Sequence, residues 1–234
     1  MPLYRLGPVA YGFPPADAAL DEPNGLLAVG GDLSPERLLL AYRAGIFPWF
    51  NAGDPVCWWS PDPRCVFLTA AWQPSRSLAK RLRQGTFRLT VDRCFTRVME
   101  ACAAPRAYAE GSWIQPDFIS SYTELHRQGI AHSLEAWNRE DKLVGGLYGL
   151  NLGHLFFGES MFSRETDASK AAFAYLMQLC RHWGIPLVDG QVENEHLLRL
   201  GARLMPRREF LEWLARYGNA PAPDWASAPP FRPS

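Results

Sequence analysis

Residues 142–194 read KLVGGLYGLNLGHLFFGESMFSRETDASKAAFAYLMQLCRHWGIPLVDGQVEN, and the order of elements in this stretch decides the fold. The apolar run from Lys142 to Leu150 predicts a strand, Asn151-Leu152-Gly153 a turn, and HLFF a returning strand that runs into the polar cluster GESMFSRETDASK. A helical segment from Asp167 or Ser169 (either a suitable cap) to His182 and Trp183 precedes a second apolar run, PLVDGQVEN. Strand, helix, strand implies a crossover between parallel strands, and sheets of that kind bind ligands at the carboxyl ends of their strands. Glu159 and Asp189 are expected near such ends. Asp189 and Gln191 are two residues apart, so an extended segment from Val188 to Val192 puts both on one face of the sheet.

Upstream, AHSLEAWN and the run from Lys142 flank a polar turn at Arg139 to Asp141, a hairpin signal. FRLTVD (Phe87 to Asp92) alternates like a strand, Cys94 to Ala103 follows as a helix, and Pro116 opens another that ends at Gly129. Ser75 caps a helix over SRSLAKRLRQ, in which Arg76, Lys80 and Arg83 recur at i, i+4 and i+7, with Arg81 beside them. Such a basic face is either a solvated surface or a phosphate contact; no acidic residue interrupts it.

The part before about Asp62 is dense in Pro, Gly and Trp. Its one clear helix is capped by Ser34, has Pro35 at its first position and stops at Gly45. Trp49, Trp58 and Trp59 either staple a loop-rich subdomain with little regular structure or form a stacking platform for a base. Downstream, short helices are expected near residues 194–200 and 207–216. The final stretch, NAPAPDWASAPPFRPS, reads as a tail, either pinned by Trp225 and Phe231 or mobile.

With 234 residues and 47% hydrophobic content the chain can bury a sizeable core. Its 24 basic and 24 acidic residues cancel, so a nucleic-acid contact must come from a local patch. Five cysteines without a C-x-x-C pair point to reduced thiols. No run has signal-peptide character or membrane-spanning length, so a cytosolic protein is expected, with a monomer as the default. The five histidines are scattered with no H-x-x-x-H pair, and no nucleotide-binding glycine loop is present, so neither metal nor cofactor is expected. A strand-borne Asp and Gln, a nearby Glu, loop tryptophans and a basic helix together permit acyl transfer to an amine.

Six blocks make the reading specific. EPNGLLAVGGDLSPERLLLAYRAGIFPWF, WWSPDPR, GSWI, LVGGLYG, FFGESMFSRETDASK and VDGQVENEHLLRLGA resemble, in order, the signature blocks of the bacterial leucyl/phenylalanyl-tRNA-protein transferases. The resemblance implies an α+β protein with a small N-terminal domain (residues 1–62), a larger domain with a mixed sheet that is similar to the acyl-CoA N-acetyltransferases but uses no coenzyme A (63–218), and a tail (219–234). It implies transfer of Leu, Phe or, less efficiently, Met from aminoacyl-tRNA to proteins beginning with Lys or Arg, which marks them for N-degron degradation. Asp189 and Gln191 match the family's catalytic pair and Glu159 a carboxylate at the same site. Trp49 and Trp113 match aromatics that hold the terminal adenosine. Leu147, Phe156 and Leu176 fall where the family lines an apolar pocket for the aminoacyl side chain, Asn194 lies in the last block, and Arg76, Lys80, Arg81 and Arg83 lie in the tRNA-binding region. The expected roles are Gln191 orienting the attacking amine, Asp189 supplying the basicity directly or through Gln191, and Glu159 pairing with a cationic group. The competing readings are a coenzyme A-dependent N-acetyltransferase, for which no pyrophosphate-cradling loop is found, and a tRNA-binding relative without activity.

Overall fold

The computed structural model describes residues 3–7, 12–104 and 114–233. A small sheet comes first, built from β1 (Tyr4–Leu6), β2 (Leu26–Gly30), β3 (Phe47–Pro48) and β4 (Cys57–Trp59) in the order β1-β2-β4-β3, with α1 (Pro35–Arg43) between β2 and β3. Ser34 Oγ accepts from the Arg37 backbone N–H at 3.4 Å, which satisfies one of the donors that a helix start leaves open. The tryptophan-rich segment therefore holds a four-stranded sheet where little regular structure was expected. Its rings divide the two expected roles. Trp58 is fully buried and donates from Nε1 to Gly30 O, whereas Trp49 is 44% exposed.

The larger sheet begins with β5 (Arg64–Leu68). It continues through α2 (Arg76–Arg83), β6 (Arg88–Val91), α3 (Phe95–Ala103), α4 (Pro116–Arg127), β7 (Ala131–Trp137), β8 (Leu143–Leu152), β9 (Leu155–Ser163), α5 (Ala168–His182), β10 (Leu187–Gln191), α6 (Glu195–Leu200), β11 (Arg203–Met205) and α7 (Arg207–Tyr217). The seven strands lie in the order β11-β5-β10-β9-β8-β7-β6. β9 and β10 run parallel and the other pairings are antiparallel, so the sheet is mixed as expected. β11, an edge strand of three residues, was not legible as a strand because an edge needs pairing on one side only and carries no alternating apolar pattern.

Helices cover both faces, as buried strands require. Leu134, Leu147, Phe156 and Val188 pack with α5 on one face, while Leu150, Phe157 and Leu187 pack with α3, α4 and α7 on the other. α5 is buried almost all round, because the sheet covers one side and the tail another. Tyr175 Oη donates to Pro229 O at 2.7 Å, Gln178 Nε2 donates to Pro230 O, and Trp225 is 6% exposed. The tail is thus pinned. The start of α5 departs from expectation: Asp167 sits at φ +69° and makes no side-chain cap bond, and Ser163 Oγ at the end of β9 accepts from the Ser169 N–H instead.

Candidate functional site

β10 pairs with β9 from Leu187 against Leu155 to Asp189 against Phe157, and the pairing ends there. At the same level β10 shifts register against β5 between Asp189 and Gln191, and Gln191 takes a left-handed φ of +63°. β9 carries its own bulge: Tyr148 pairs with Ser160 and Gly149 with Gly158, which leaves Glu159 as the extra residue. A bulge re-aims the side chain it carries. Glu159 is therefore presented from the middle of a nine-residue strand and not from near its carboxyl end, because β9 runs on through the polar cluster to Ser163. The bulge depends on Gly149, where a Cβ would come within 2.1 Å of Phe157 O.

A cavity of about 950 Å³ opens where the strands part. Its apolar wall is Phe67, Leu147, Met161, Phe173, Leu176 and Val188; its polar wall includes Tyr148, Glu159, Asp189 and Gln191; Trp49, Arg164 and Asn194 also line it. Leu147 and Tyr148 belong to the cores on opposite faces of β8. Groups from both sides of the sheet therefore meet in one space.

Glu159 is the hub of the polar wall. Its Oε1 accepts from Tyr42 Oη at 2.6 Å and from Gln191 Nε2 at 2.7 Å, and its Oε2 from Tyr122 Oη at 3.3 Å. The two phenols are themselves 2.6 Å apart. Burial pushes the Glu159 carboxyl up to about 7, with the Asp189 charge adding to the rise while hydrogen bonds from Tyr42, Tyr122 and Gln191 oppose it. Burial, with the nearby Glu159 charge, also pushes both phenols well above their ordinary range, so they act as neutral donors. Tyr148 Oη, fully buried in the same wall, has no hydrogen-bond partner among the described residues.

Asp189 lines the same cavity as Gln191, as their spacing suggested, but its carboxylate is already engaged. It is fully buried, and Arg64 grips it with a two-pronged contact, Nε to Oδ1 at 2.9 Å and Nη2 to Oδ2 at 2.7 Å. Oδ1 also accepts from the Gln191 backbone N–H at 2.8 Å. Paired through both oxygens with a fully buried guanidinium, Asp189 is poorly placed to take a proton from a substrate. Arg64, Tyr42 and Tyr122 were not singled out from the sequence. Arg64 and Tyr42 stand inside quoted blocks, in WWSPDPR and LLLAYRAGIF, and what their side chains would reach was not readable there.

The other expected site residues separate as follows. Leu147 and Leu176 line the cavity. Phe156 does not: it is fully buried behind the wall, 5.6 Å from the Trp225 ring, because its side chain fills the space between β9 and the tail. Asn194 reaches the rim, but its Oδ1 is used to cap α6, accepting from Leu197 N–H at 2.9 Å. Trp113 lies outside the described residues. On α2, Arg76, Lys80 and Arg83 form an exposed face as the spacing predicted, whereas Arg81 turns away to pair with Asp167 at 3.3 Å. That pairing docks α2 on the start of α5, beside the cavity residues Arg164 and Ser169.

The histidines are less scattered in space than in sequence. Asp92, His126 and His132 bring one nitrogen or oxygen each within 4.8 Å of one another, because the α4–β7 turn folds back on the end of β6. Their atoms are engaged with one another and with the backbone: His132 Nδ1 meets Asp92 at 2.7 Å, its Nε2 meets Gly129 O at 3.2 Å, and His126 Nδ1 meets Ala131 O at 2.8 Å. The His132 ring stacks on Trp225 at 4.1 Å. Of the three, His132 is the one that docks the tail. No helix among the described residues is long and apolar enough to cross a membrane.

Two family models match the chain. The family model described as leucyl/phenylalanyl-tRNA protein transferase matches residues 66–215, and that of the same family's N-terminal domain matches residues 31–62. The leucyl/phenylalanyl-tRNA–protein transferase of Cellvibrio japonicus (strain Ueda107) is 57% identical over 92% of this chain and 92% of its own length. That of Stutzerimonas stutzeri (strain A1501) is 54% identical over 91% and 94%. Among solved structures, the L-PGS of Bacillus licheniformis aligns at 14% identity and a TM-score of 0.40, covering 72% of this chain and 54% of that one.

Proposed function

Since the chain belongs to the leucyl/phenylalanyl-tRNA protein transferase family, we propose that it transfers Leu or Phe, and Met less efficiently, from aminoacyl-tRNA to the N-terminal amine of proteins beginning with Lys or Arg. The observation that carries this reading is the cavity at the parting of β9 and β10, apolar on one side and holding a carboxylate raised to about 7 on the other. An apolar wall of Leu147, Leu176, Phe173 and Met161 accepts Leu, Phe or Met and charges a large desolvation cost to a charged side chain.

The attacking α-amine has an ordinary pKa of about 7.7 to 8.0 and needs only a modest shift to be freed. Glu159, matched near that range, is the group that takes its proton; this replaces the expectation that Asp189 supplies the basicity. The freed amine then attacks the ester carbonyl, a C–N bond forms and the ester C–O bond breaks; the departing ribose oxygen takes the proton held by Glu159, and the excess proton on the new amide nitrogen passes to Glu159 and on to solvent. Gln191 orients the amine from beside Glu159, Asp189 acts through Gln191, and the unpartnered hydroxyl of Tyr148 offers one more polar contact. The ester is already activated, so the reaction needs no ATP.

Trp49, exposed at the cavity edge, suits stacking of the terminal adenine, with Trp113 as its expected partner and Asn194 at the rim; a stacked ring contributes about 1–3 kcal/mol. Phe156 shapes the aminoacyl pocket from behind. Arg76, Lys80 and Arg83 supply phosphate contacts, and Arg81 sets the helix that carries them. Division into residues 1–62, 63–218 and a tail 219–234, a cytoplasmic location and a monomeric state belong to the same reading. The test is transfer of labelled Leu from Leu-tRNA to peptides beginning with Arg or with Ala. Labelling of the first alone is expected; labelling of neither, or of both equally, refutes the reading.

A further inference from the structure

We propose that Arg64 is a positioning residue of the transfer site that occupies both oxygens of Asp189, so that this carboxylate holds the Gln191 backbone, and with it the Gln191 amide, against Glu159 while its charge is neutralised beside Glu159. The inference rests on the reading of the site given above and adds a residue to it.

The geometry is a chain of four groups. Arg64 donates twice to Asp189, the Gln191 N–H donates to Asp189 Oδ1, and Gln191 Nε2 donates to Glu159 Oε1. Gln191 stands in the left-handed region at φ +63°, unfavourable for a side chain of its kind, and the bond from its N–H to Asp189 is what holds it there. Arg64 itself cannot swing. Its guanidinium lies 4.7 Å from the Phe47 ring and 4.6 Å from the Phe210 ring, and Nη1 donates to Gly45 O at 3.1 Å. β3 and α7 therefore clamp it from both sides, and β3 leads directly to Trp49. A buried ion pair adds little net stability compared with apolar packing, so a structural account alone leaves this arrangement without a reason. The fork also neutralises the nearest charge to Glu159 on β10. The other titratable groups facing Glu159 are Tyr42 of α1, Tyr122 of α4 and Tyr148 of β8.

The test compares wild type, R64Q, D189N and the double variant R64Q/D189N in transfer of labelled Leu from Leu-tRNA to a peptide beginning with Arg, between pH 6 and 9, with thermal melts of each. R64Q leaves the Asp189 charge facing Glu159, and a like charge disfavours ionisation of its neighbour. The acid limb of kcat/KM for the peptide is therefore expected to move to higher pH, with activity down about tenfold or more at pH 7 and largely regained by pH 9. The double variant removes both charges while Asn keeps an oxygen for the Gln191 N–H. It should return the limb to its wild-type position and exceed R64Q at pH 7. An R64Q loss that is equal at every pH, or a folded double variant no better than R64Q, overturns the proposal. If R64Q does not fold, the double variant against D189N decides: a folded double variant with activity lost about a hundredfold or more shows that the Asp189 charge itself is required, and sinks the proposal. Absence of transfer by the wild-type protein would refute the reading of the site, and this inference with it, whereas wild-type transfer with an unshifted R64Q profile overturns this inference alone.

Discussion

At the scale of single residues, the site turns on two carboxylates that the sequence presents alike and the fold treats oppositely. Asp189 is sealed against a guanidinium, while Glu159 sits on a bulge at the cavity wall with phenols for company. Their environments differ accordingly, and in the proposed reaction Asp189 holds the Gln191 backbone while Glu159 exchanges a proton. Glu159→Gln tests this. It keeps the shape and the acceptor oxygen for Tyr42 but removes the base, so transfer is expected to fall by about 100-fold or more at pH 8. Stability should move the other way. A carboxyl whose folded-state value is raised to about 7 from 4.5 stabilises the fold below its unfolded value, and that contribution is lost as the pH rises through about 7. Above pH 7 the Gln variant should melt at or above the wild-type temperature. A variant that melts well below wild type at pH 8 would show that the buried charge is supported better than this account holds.

Among the elements, α2 and the pair β9–β10 show how far local pattern reaches. The cap at Ser75 and the i, i+4, i+7 spacing of Arg76, Lys80 and Arg83 specified both the helix and its exposed face. Arg81 was grouped with them by sequence proximity, yet it points to Asp167, since its position on the helix faces α5. Replacing Arg76, Lys80 and Arg83 by Ala should reduce the slope of log K against log salt for tRNA binding by about 2, at roughly 0.7–0.9 per phosphate contact. An unchanged slope would return this face to simple solvation. In β9 and β10 the strands themselves were legible from apolar runs. The two irregularities that make the site were not, because a bulge is a property of a pair of strands and each strand alone reads as regular.

For the whole molecule, the two sheets and the tail join into one arrangement in which distant segments share atoms. Phe47 and Gly45 hold Arg64, Tyr42 reaches Glu159 across 117 positions of sequence, and Trp225 lies on His132 and donates to Asn151 Oδ1. Trp225→Ala should cost about 3–5 kcal/mol, read as a lower urea midpoint, because it opens the core between α5 and β9 and strips the stack from His132. A midpoint shift of a few tenths of that size would mean that the tail is a surface appendage. What the sequence determined by itself was the family, the order of elements from Phe87 to Gln191, the caps at Ser34 and Ser75, and Asp189, Gln191 and Glu159 as candidates for one site, because these follow from local composition, spacing and motif. Only the tertiary structure decided that Asp189 is locked by Arg64, that Glu159 carries the raised pKa, that Phe156 backs the pocket without lining it, and that three scattered residues gather under the tail. Such outcomes depend on which side chain from another element fills the space beside a given group, and desolvation and hydrogen bonding are set by that neighbour and not by the residue's own place in the chain.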